Sequence, residues 1–197
     1  MVKFIWEGKF NGDIESLPKR EHPSGYVRFK EPTDMKKFSS IMNTLSLIVF
    51  ILTYIMCGVI LKTFYIPMDF IAAVTSLLIM VPHEFLHAMW FKEEAHIYTN
   101  LKQGMLFVLG TEDISKSRFI WLSLFPFIVF GFIPLVTGLY LSNYTLIWIG
   151  MLHTSSCVGD FYNVFNTITQ VPNGAKTYLS GFNSYWYIPN KGDSVGE

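Results

Sequence analysis

The chain has 197 residues, of which 51% are hydrophobic and only 15% are charged, against about 25% charged in a typical soluble domain. The charged residues concentrate in 1–37 and 92–118, whereas long stretches between residues 38 and 170 carry almost none, which excludes an ordinary soluble globular domain. The 15 basic and 15 acidic residues balance, so the composition predicts no basic surface and no nucleic-acid partner.

Residues 1–37 form a polar N-terminal segment in which two short pieces, 4–6 and 26–29, favour β-strands. Four apolar spans follow, from about residue 38 to 61, 67 to 91, 119 to 141 and 144 to 169. Each exceeds the roughly 20 residues that a helix needs to cross a membrane. The short connections within each pair predict two helical hairpins. The expected fold is therefore an all-α polytopic membrane protein whose four transmembrane helices form a membrane domain over 38–169.

The loop 92–118 and the tail 170–197 complete the predicted organisation. Within the loop, residues 96–101 and 105–109 flank Lys102-Gln103-Gly104 and predict a β-hairpin. Fourteen of the 15 basic residues lie in 1–37, the loop or the tail. Because basic residues favour the cytosolic side, these three segments and both termini are expected in the cytosol, with the protein multi-pass in the cell membrane.

The second span contains the pattern HExxH, formed by His83, Glu84 and His87. On a helix the two histidines lie one turn apart on the same face, so both imidazoles can bind one zinc ion. Glu84 lies beside them, where it can accept a proton from a zinc-activated water. Ionisable groups inside a membrane are costly and usually functional, which favours a metal site over an incidental cluster at the end of a span.

A catalytic zinc site needs a third protein ligand. The metzincin pattern would place glycine at position 90 and histidine at position 93. This chain has Trp90 and Glu93 instead, which excludes the metzincin class. The loop offers four other candidates, although a solvated loop is the simpler interpretation of them: Glu93, Glu94, His96 and Glu112.

The fourth span offers a better candidate in Asp160. At helical spacing, one polar face carries His153, Ser156, Cys157, Asp160, Asn163 and Thr167. Asp160 and His83 each lie 16 residues from the outer start of their spans, about 24 Å into the membrane, so they can meet at one depth. Asp160 is therefore the expected third ligand. The sequence leaves four roles open for His153: a further metal ligand, a stabiliser of the oxyanion, a partner that orients a ligand, or a buried hydrogen-bonded histidine. Asn163 is a candidate for the orienting or the oxyanion role.

The motifs HEFLH, SRFIWLSLFPFIVFG and HTSSCVGD, in that order, resemble a bacterial family of membrane proteins described as putative zincin peptidase, a domain of unknown function. That family is similar to the site-2 proteases, which hold zinc with the two histidines of HExxH and an aspartate from a later span. The resemblance implies that His83, His87 and Asp160 bind zinc and that Glu84 is the general base.

The expected function is zinc-dependent hydrolysis of a peptide bond in or near the membrane, with membrane lipid and a membrane-embedded or membrane-proximal protein substrate as partners. The alternative is a catalytically silent zinc-binding membrane protein that serves as a partner-binding or regulatory module. A metal transporter is disfavoured because the first and third spans contain no ionisable residue other than tyrosine and cysteine.

Overall fold

The computed structural model describes residues 2–32, 34–67, 69–100 and 105–189. These residues form five helices and two β-sheets, so the prediction of an all-α protein is wrong. The helices are α1 (Met35–Leu61), α2 (Phe70–Ala88), α3 (Lys116–Leu141), α4 (Tyr144–Ser156) and α5 (Val158–Gln170). Within α3, a π-helical segment at Phe127–Phe132 joins two α-helical parts, Lys116–Pro126 and Ile133–Leu141.

Three helices in the described part of the chain are long and apolar enough to cross a membrane: Lys36–Leu61, Phe70–Ala88 and Lys116–Leu141. In the first two, large apolar side chains stay uncovered by the protein, as Leu47 (60% exposed) and Leu77 (74% exposed) illustrate. Apolar surface of this extent is unfavourable in water and favourable in lipid. The three helices indicate a membrane protein.

The prediction of a fourth single span is wrong. The chain leaves helical geometry at Cys157, where ψ is 11°, and this break separates α4 from α5. Each half has 13 residues, which is too short to cross about 30 Å of hydrocarbon alone. The sequence pattern missed the break because neither Cys157 nor its immediate neighbours Ser156 and Val158 carry a charge. Together, the two helices return the chain towards the start of α3, where the Lys116 ammonium donates to the carbonyl of Val171 at 2.6 Å.

The first sheet has three strands in the order β1-β3-β4: β1 is Lys3–Lys9, β3 is Glu94–Asn100 and β4 is Met105–Leu109. The parallel pairing of β1 with β3 joins the N-terminal segment to the central loop. Strands β3 and β4 pair antiparallel, with His96 opposite Leu109, so the predicted β-hairpin is confirmed. Its predicted turn, Lys102-Gln103-Gly104, and Leu101 lie outside the described residues.

The second sheet has four strands in the order β2-β7-β6-β5, and every pairing is antiparallel. The strands are β2 (Val27–Arg28), β5 (Ile114–Ser115), β6 (Lys176–Ser180) and β7 (Asn183–Tyr187). It therefore combines the N-terminal segment, the central loop and the C-terminal segment. All three must lie on the same side of any membrane that the helices cross, because strands of one sheet cannot pair through a bilayer.

The chain divides into two compact units. One comprises the described parts of Met1–Glu31, Glu84–Leu122 and Asn163–Glu197, and the other comprises those of Pro32–His83 and Ser123–Tyr162. The first unit contains both sheets and a buried apolar cluster of Ala88, Phe91, Ala95, Ile114, Phe119 and Leu122. The second contains the helical core of Cys57, Ile66, Ala72, Leu135, Ile147, Trp148, Ile149 and Met151.

Close packing of α3 against α4 fixes the helix that carries His153. At Gly150 an added Cβ would lie 2.5 Å from the backbone nitrogen of Leu135, so only glycine lets the two backbones approach this closely. Small residues have this role where membrane helices meet. Gly150 lies one turn before His153, and the contact thus sets the position of the histidine relative to α3.

Candidate metal centre

The C-terminal end of α2 presents the HExxH residues. Helix α2 runs without interruption from Phe70 to Ala88, and it includes Pro82 just before His83. His83, Glu84 and His87 have only 5%, 9% and 8% of their surface exposed, and their ligand atoms lie within 4.8 Å of one another. A single helix therefore collects two imidazoles and one carboxylate in the arrangement that the sequence predicted.

A backbone carbonyl orients the ring of His87. Its Nδ1 lies 2.8 Å from the carbonyl oxygen of Leu122. Because a carbonyl only accepts, Nδ1 carries the proton and donates it to this bond. The lone pair of the neutral ring is then on Nε2, which is the nitrogen that can bind a metal ion. A hydrogen bond of this kind is what fixes the tautomer of metal-binding histidines.

His83 contacts two polar partners within the helical unit. Its Nε2 lies 3.4 Å from Oδ2 of Asp160, and its Nδ1 lies 3.0 Å from Nε2 of His153. If Nε2 of His83 gives its lone pair to a metal, the proton sits on Nδ1 and is donated to His153. His153 then carries its own proton on Nδ1. The structure therefore brings together three of the residues that the sequence singled out.

The separation of His83 and Asp160 fits a shared zinc ion. Ligand atoms about 2.0–2.1 Å from a tetrahedral zinc lie roughly 3.3 Å from each other. The observed 3.4 Å between Nε2 of His83 and Oδ2 of Asp160 matches that value. The Asp160 side chain is 13% exposed, so it is largely shielded from water. The metal-binding roles of His83, His87 and Asp160 stay predictions.

His153 is almost completely buried, with 1% of its surface exposed. Its ring meets that of His83 edge to face, with centroids 5.0 Å apart, and Phe130 of the π-helical segment packs against it at 5.5 Å. Wide helical turns of this type are frequent at functional sites. Asn163 is half-buried in α5, where its backbone carbonyl accepts a hydrogen bond from Thr167. Its predicted role at the site stays a prediction.

The loop carboxylates differ from one another. Glu93 and Glu94 are exposed, and His96 pairs with Glu7 at 2.8 Å. Glu112, in contrast, is buried, so the expectation of a solvated loop is wrong for this residue.

The Glu112 carboxylate accepts from the backbone N–H groups of Lys92 at 2.7 and 2.9 Å and of Glu93 at 2.7 Å. It also lies 3.3 Å from the Arg118 guanidinium. These contacts hold the segment that directly follows α2. Sequence reasoning had no local signal for this role, since the two residues whose N–H groups Glu112 accepts from lie about 20 positions earlier in the chain.

A second group of metal-binding side chains overlaps with the first. His83, His153 and Cys157 offer ligand atoms within 4.8 Å of one another, and all three are buried. The sequence pattern placed Cys157 on the same face as His153 without assigning it a role.

Comparison with known families gives a match to part of the chain. Residues 76–176, just over half of the chain, match the model of a family described as putative zincin peptidase. The matched segment contains the HExxH residues as well as His153, Cys157 and Asp160. Comparison with curated proteins and with solved structures gives no match.

Proposed function

The chain belongs to the family described as putative zincin peptidase, and from this premise we propose that it is a zinc-dependent peptidase embedded in a membrane. In this proposal His83, His87 and Asp160 hold the zinc ion and Glu84 is the general base. The family as described implies a metallopeptidase that uses zinc. The identity of the three zinc ligands, the role of Glu84 as the base and the likeness to site-2 proteases are our own proposals beyond that family description.

The observation that carries the proposal is the 3.4 Å separation of His83 Nε2 and Asp160 Oδ2. A helix that bears HExxH supplies only two of the three protein ligands that a catalytic zinc requires. Asp160 comes from a different helix and meets one of these histidines at the distance that two ligands of one ion adopt. Two histidines on one helix and an aspartate from a later one also form the arrangement by which site-2 proteases hold zinc.

When bound, zinc would act as a Lewis acid that lowers the pKa of a water molecule and polarises the substrate carbonyl. Glu84 takes the proton of the attacking water and passes it to the leaving amine. The hydrogen bond from Nδ1 of His87 to the carbonyl of Leu122 fixes the orientation of the His87 ring and leaves the lone pair on Nε2. His153 keeps His83 in the tautomer whose Nε2 lone pair faces Asp160.

The proposed substrate is a membrane-embedded or membrane-proximal polypeptide, and membrane lipid is the surrounding partner. The three long apolar helices support this setting. A helical substrate must unwind before cleavage, because its carbonyl groups are hydrogen-bonded and shielded. Edge strands such as β4 can hold a peptide extended by pairing with it, which is one way to stabilise an unwound substrate.

The proposed location is the cell membrane, with the strand-forming segments in the cytosol. Pairing of β2 with β7 supports one side for the N-terminal and C-terminal segments. The concentration of 14 of the 15 basic residues in 1–37, 92–118 and 170–197 favours the cytosolic side.

The decisive experiment compares wild type with Glu84→Gln. Glutamine nearly matches glutamate in shape but cannot accept the proton, so the variant should retain about one zinc per chain and lose at least about 100-fold in turnover. A membrane-embedded substrate is required, since a soluble peptide need not enter the site. Glu93→Gln serves as the matched control, because Glu93 is exposed and lies nine residues after Glu84. This variant should retain wild-type turnover.

Two outcomes would contradict the proposal. Wild-type turnover in Glu84→Gln would remove Glu84 from the mechanism. Zinc-loaded wild type that cleaves no membrane-embedded substrate, while still binding zinc through His83 and His87, would favour the alternative function of a catalytically silent zinc-binding module.

A further inference from the structure

His83 belongs to two groups of metal-binding side chains at once. One contains the HExxH residues, and the other contains His153 and Cys157. The two nitrogens of the His83 ring have different neighbours, because Nε2 lies 3.4 Å from Oδ2 of Asp160 whereas Nδ1 lies 3.0 Å from Nε2 of His153. No step of the proposed reaction uses the thiol of Cys157.

His153 and Cys157 present their ligand atoms together because they lie one turn apart. The backbone N–H of Cys157 donates to the carbonyl of His153 at 3.1 Å, which closes the last turn of α4 and fixes this spacing. The two residues thus repeat on α4 the i, i+4 spacing that His83 and His87 have on α2. His83 then adds a nitrogen within 4.8 Å of both ligand atoms.

The chemistry of this group differs from that of the proposed catalytic ligands. Two imidazoles and one thiolate form a nitrogen–sulfur set, which prefers softer metals than a histidine–carboxylate set. His83, His153 and Cys157 are 5%, 1% and 0% exposed. His153 and Cys157 are more deeply buried than Glu84, His87 and Asp160, so a metal ion that they hold is less accessible to a substrate carbonyl.

We infer that Cys157, together with His153 and His83, holds the zinc in a resting state that excludes turnover. A neutral imidazole binds one metal ion through one nitrogen, so His83 cannot serve both ligand sets at the same time. The zinc therefore occupies either the nitrogen–sulfur set or the set with His87 and Asp160, and the catalytic form requires transfer to the second. This inference rests on the proposed function.

The test uses cobalt(II) in place of zinc in the purified full-length protein. A thiolate ligand gives cobalt(II) an intense near-ultraviolet charge-transfer absorption that imidazole and carboxylate ligands do not give. The chain has two cysteines, Cys57 and Cys157. Cys57 is buried in the apolar core with Ile66 and Leu135, which makes Cys57→Ser a matched control.

The expected result is full charge-transfer absorption in wild type and in Cys57→Ser, and its complete loss in Cys157→Ser. A band that persists in Cys57→Ser can arise only from Cys157, so the assignment survives even if Cys157→Ser fails to fold. Turnover should also be higher in Cys157→Ser than in wild type. Turnover at or below the wild-type rate, in Cys157→Ser protein that still binds one cobalt per chain, would overturn the resting state.

The outcomes separate this inference from the proposed function. One cobalt per chain without a charge-transfer band, lost in Asp160→Asn, would overturn the role of Cys157 and leave the proposed peptidase standing. A chain that binds no cobalt and no zinc would overturn both.

Discussion

The Nε2 atom of His83 lies 3.4 Å from Oδ2 of Asp160, although α2 and α5 are separated in the chain by three strands and two helices. Three protein ligands are the usual complement of a catalytic zinc ion, and HExxH provides only two of them. This contact therefore links the motif that is visible in the sequence to a residue whose importance depends on the fold.

In a Cys157→Ser background, where the nitrogen–sulfur set cannot hold the zinc, replacing Asp160 with asparagine should weaken zinc binding by at least about 100-fold, because losing a ligand costs more than the 10–100-fold typical of losing a residue that only orients one. Zinc titration monitored by metal analysis measures the change. Asp69→Asn is the control, since Asp69 caps α2 through the N–H of Ile71 and contacts Thr145 instead of the histidines. Unchanged zinc affinity in Asp160→Asn would place the third ligand elsewhere.

Replacing Glu112 with glutamine should lower the free energy of unfolding by about 1–3 kcal/mol, because an amide NH₂ would replace one of the two oxygens that accept from the N–H groups of Lys92 and Glu93. Thermal unfolding of the detergent-solubilised protein measures this. Glu93→Gln removes an exposed carboxylate from the same segment and should change stability by less than about 0.5 kcal/mol. Equal stability of the two variants would contradict the structural role of Glu112.

The stability of the protein should fall between about pH 4.5 and 6 through Glu31. Burial raises the pKa of Glu31 from 4.5 to about 6, against the opposing effects of the Ser184 N–H and the Arg28 charge. Since the folded protein holds this proton more tightly than the unfolded chain, the stabilisation is complete below pH 4.5 and is lost as the pH rises through 6.

The loss should amount to about 1–2 kcal/mol in the free energy of unfolding. Glu31→Gln keeps the acceptor for Ser184 and cannot ionise, so this decline should disappear when unfolding is followed across the same pH range. The exposed Glu21→Gln serves as the control and should retain the wild-type profile. A Glu31→Gln profile that coincides with wild type would show that Glu31 is not the titrating group.

Alanine at position 150 should destabilise the protein by about 1–3 kcal/mol, because its Cβ would lie 2.5 Å from the backbone nitrogen of Leu135 and force α3 and α4 apart. Gly159→Ala is the matched control. There an added Cβ meets no atom within 4 Å, and alanine favours the helix, so stability should stay equal or rise slightly. Comparable loss in both variants would argue against close packing at Gly150.

Cysteines introduced at Glu15 and Asn173 should react from the same side of the membrane with an impermeant maleimide, whereas Tyr65→Cys, between α1 and α2, should react from the other side. The pairing of β2 with β7 and of β5 with β6 is the reason for the first expectation. The natural Cys57 and Cys157 are both 0% exposed and should contribute little background. Opposite labelling of Glu15→Cys and Asn173→Cys would be incompatible with the second sheet.

Local patterns in the sequence predicted the features that depend on nearby residues. The apolar runs identified α1, α2 and α3, and alternating residues around a polar turn identified the hairpin of β3 and β4. The helical spacing of His83 and His87 needed only that α2 be a helix. The sequence-based expectation also brought His83 and Asp160 together, and their side chains lie 3.4 Å apart, although the single fourth span assumed for Asp160 is in fact two helices. Their common depth in the membrane stays a prediction.

Features that depend on residues far apart in the chain could not be predicted from the sequence. Strand β2 has only two residues, and Val27 pairs with Trp186, which lies far along the chain. No local sequence pattern therefore predicts the pairing of β2 with β7. Hydrophobicity also cannot distinguish one helix of 26 residues from two of 13, because a break at Cys157 changes the backbone angles without adding a charge. The burial of Glu112 likewise depends on its contacts with Lys92 and Glu93, which lie about 20 positions earlier in the chain.

The order of strands in the second sheet has a consequence for how the protein is made. Strand β2 leaves the ribosome before any of the five helices, whereas its neighbour β7 is the last strand of the described chain to appear. Strand β2 must therefore stay unpaired while the apolar helices enter the lipid, and the sheet closes only after β7 has been made. Such distant pairing is slow to form and leaves strand edges exposed to aggregation in the meantime. A ribosome-bound chain that stops before Asn183 should for this reason remain sensitive to protease around Val27, however well its helices have inserted.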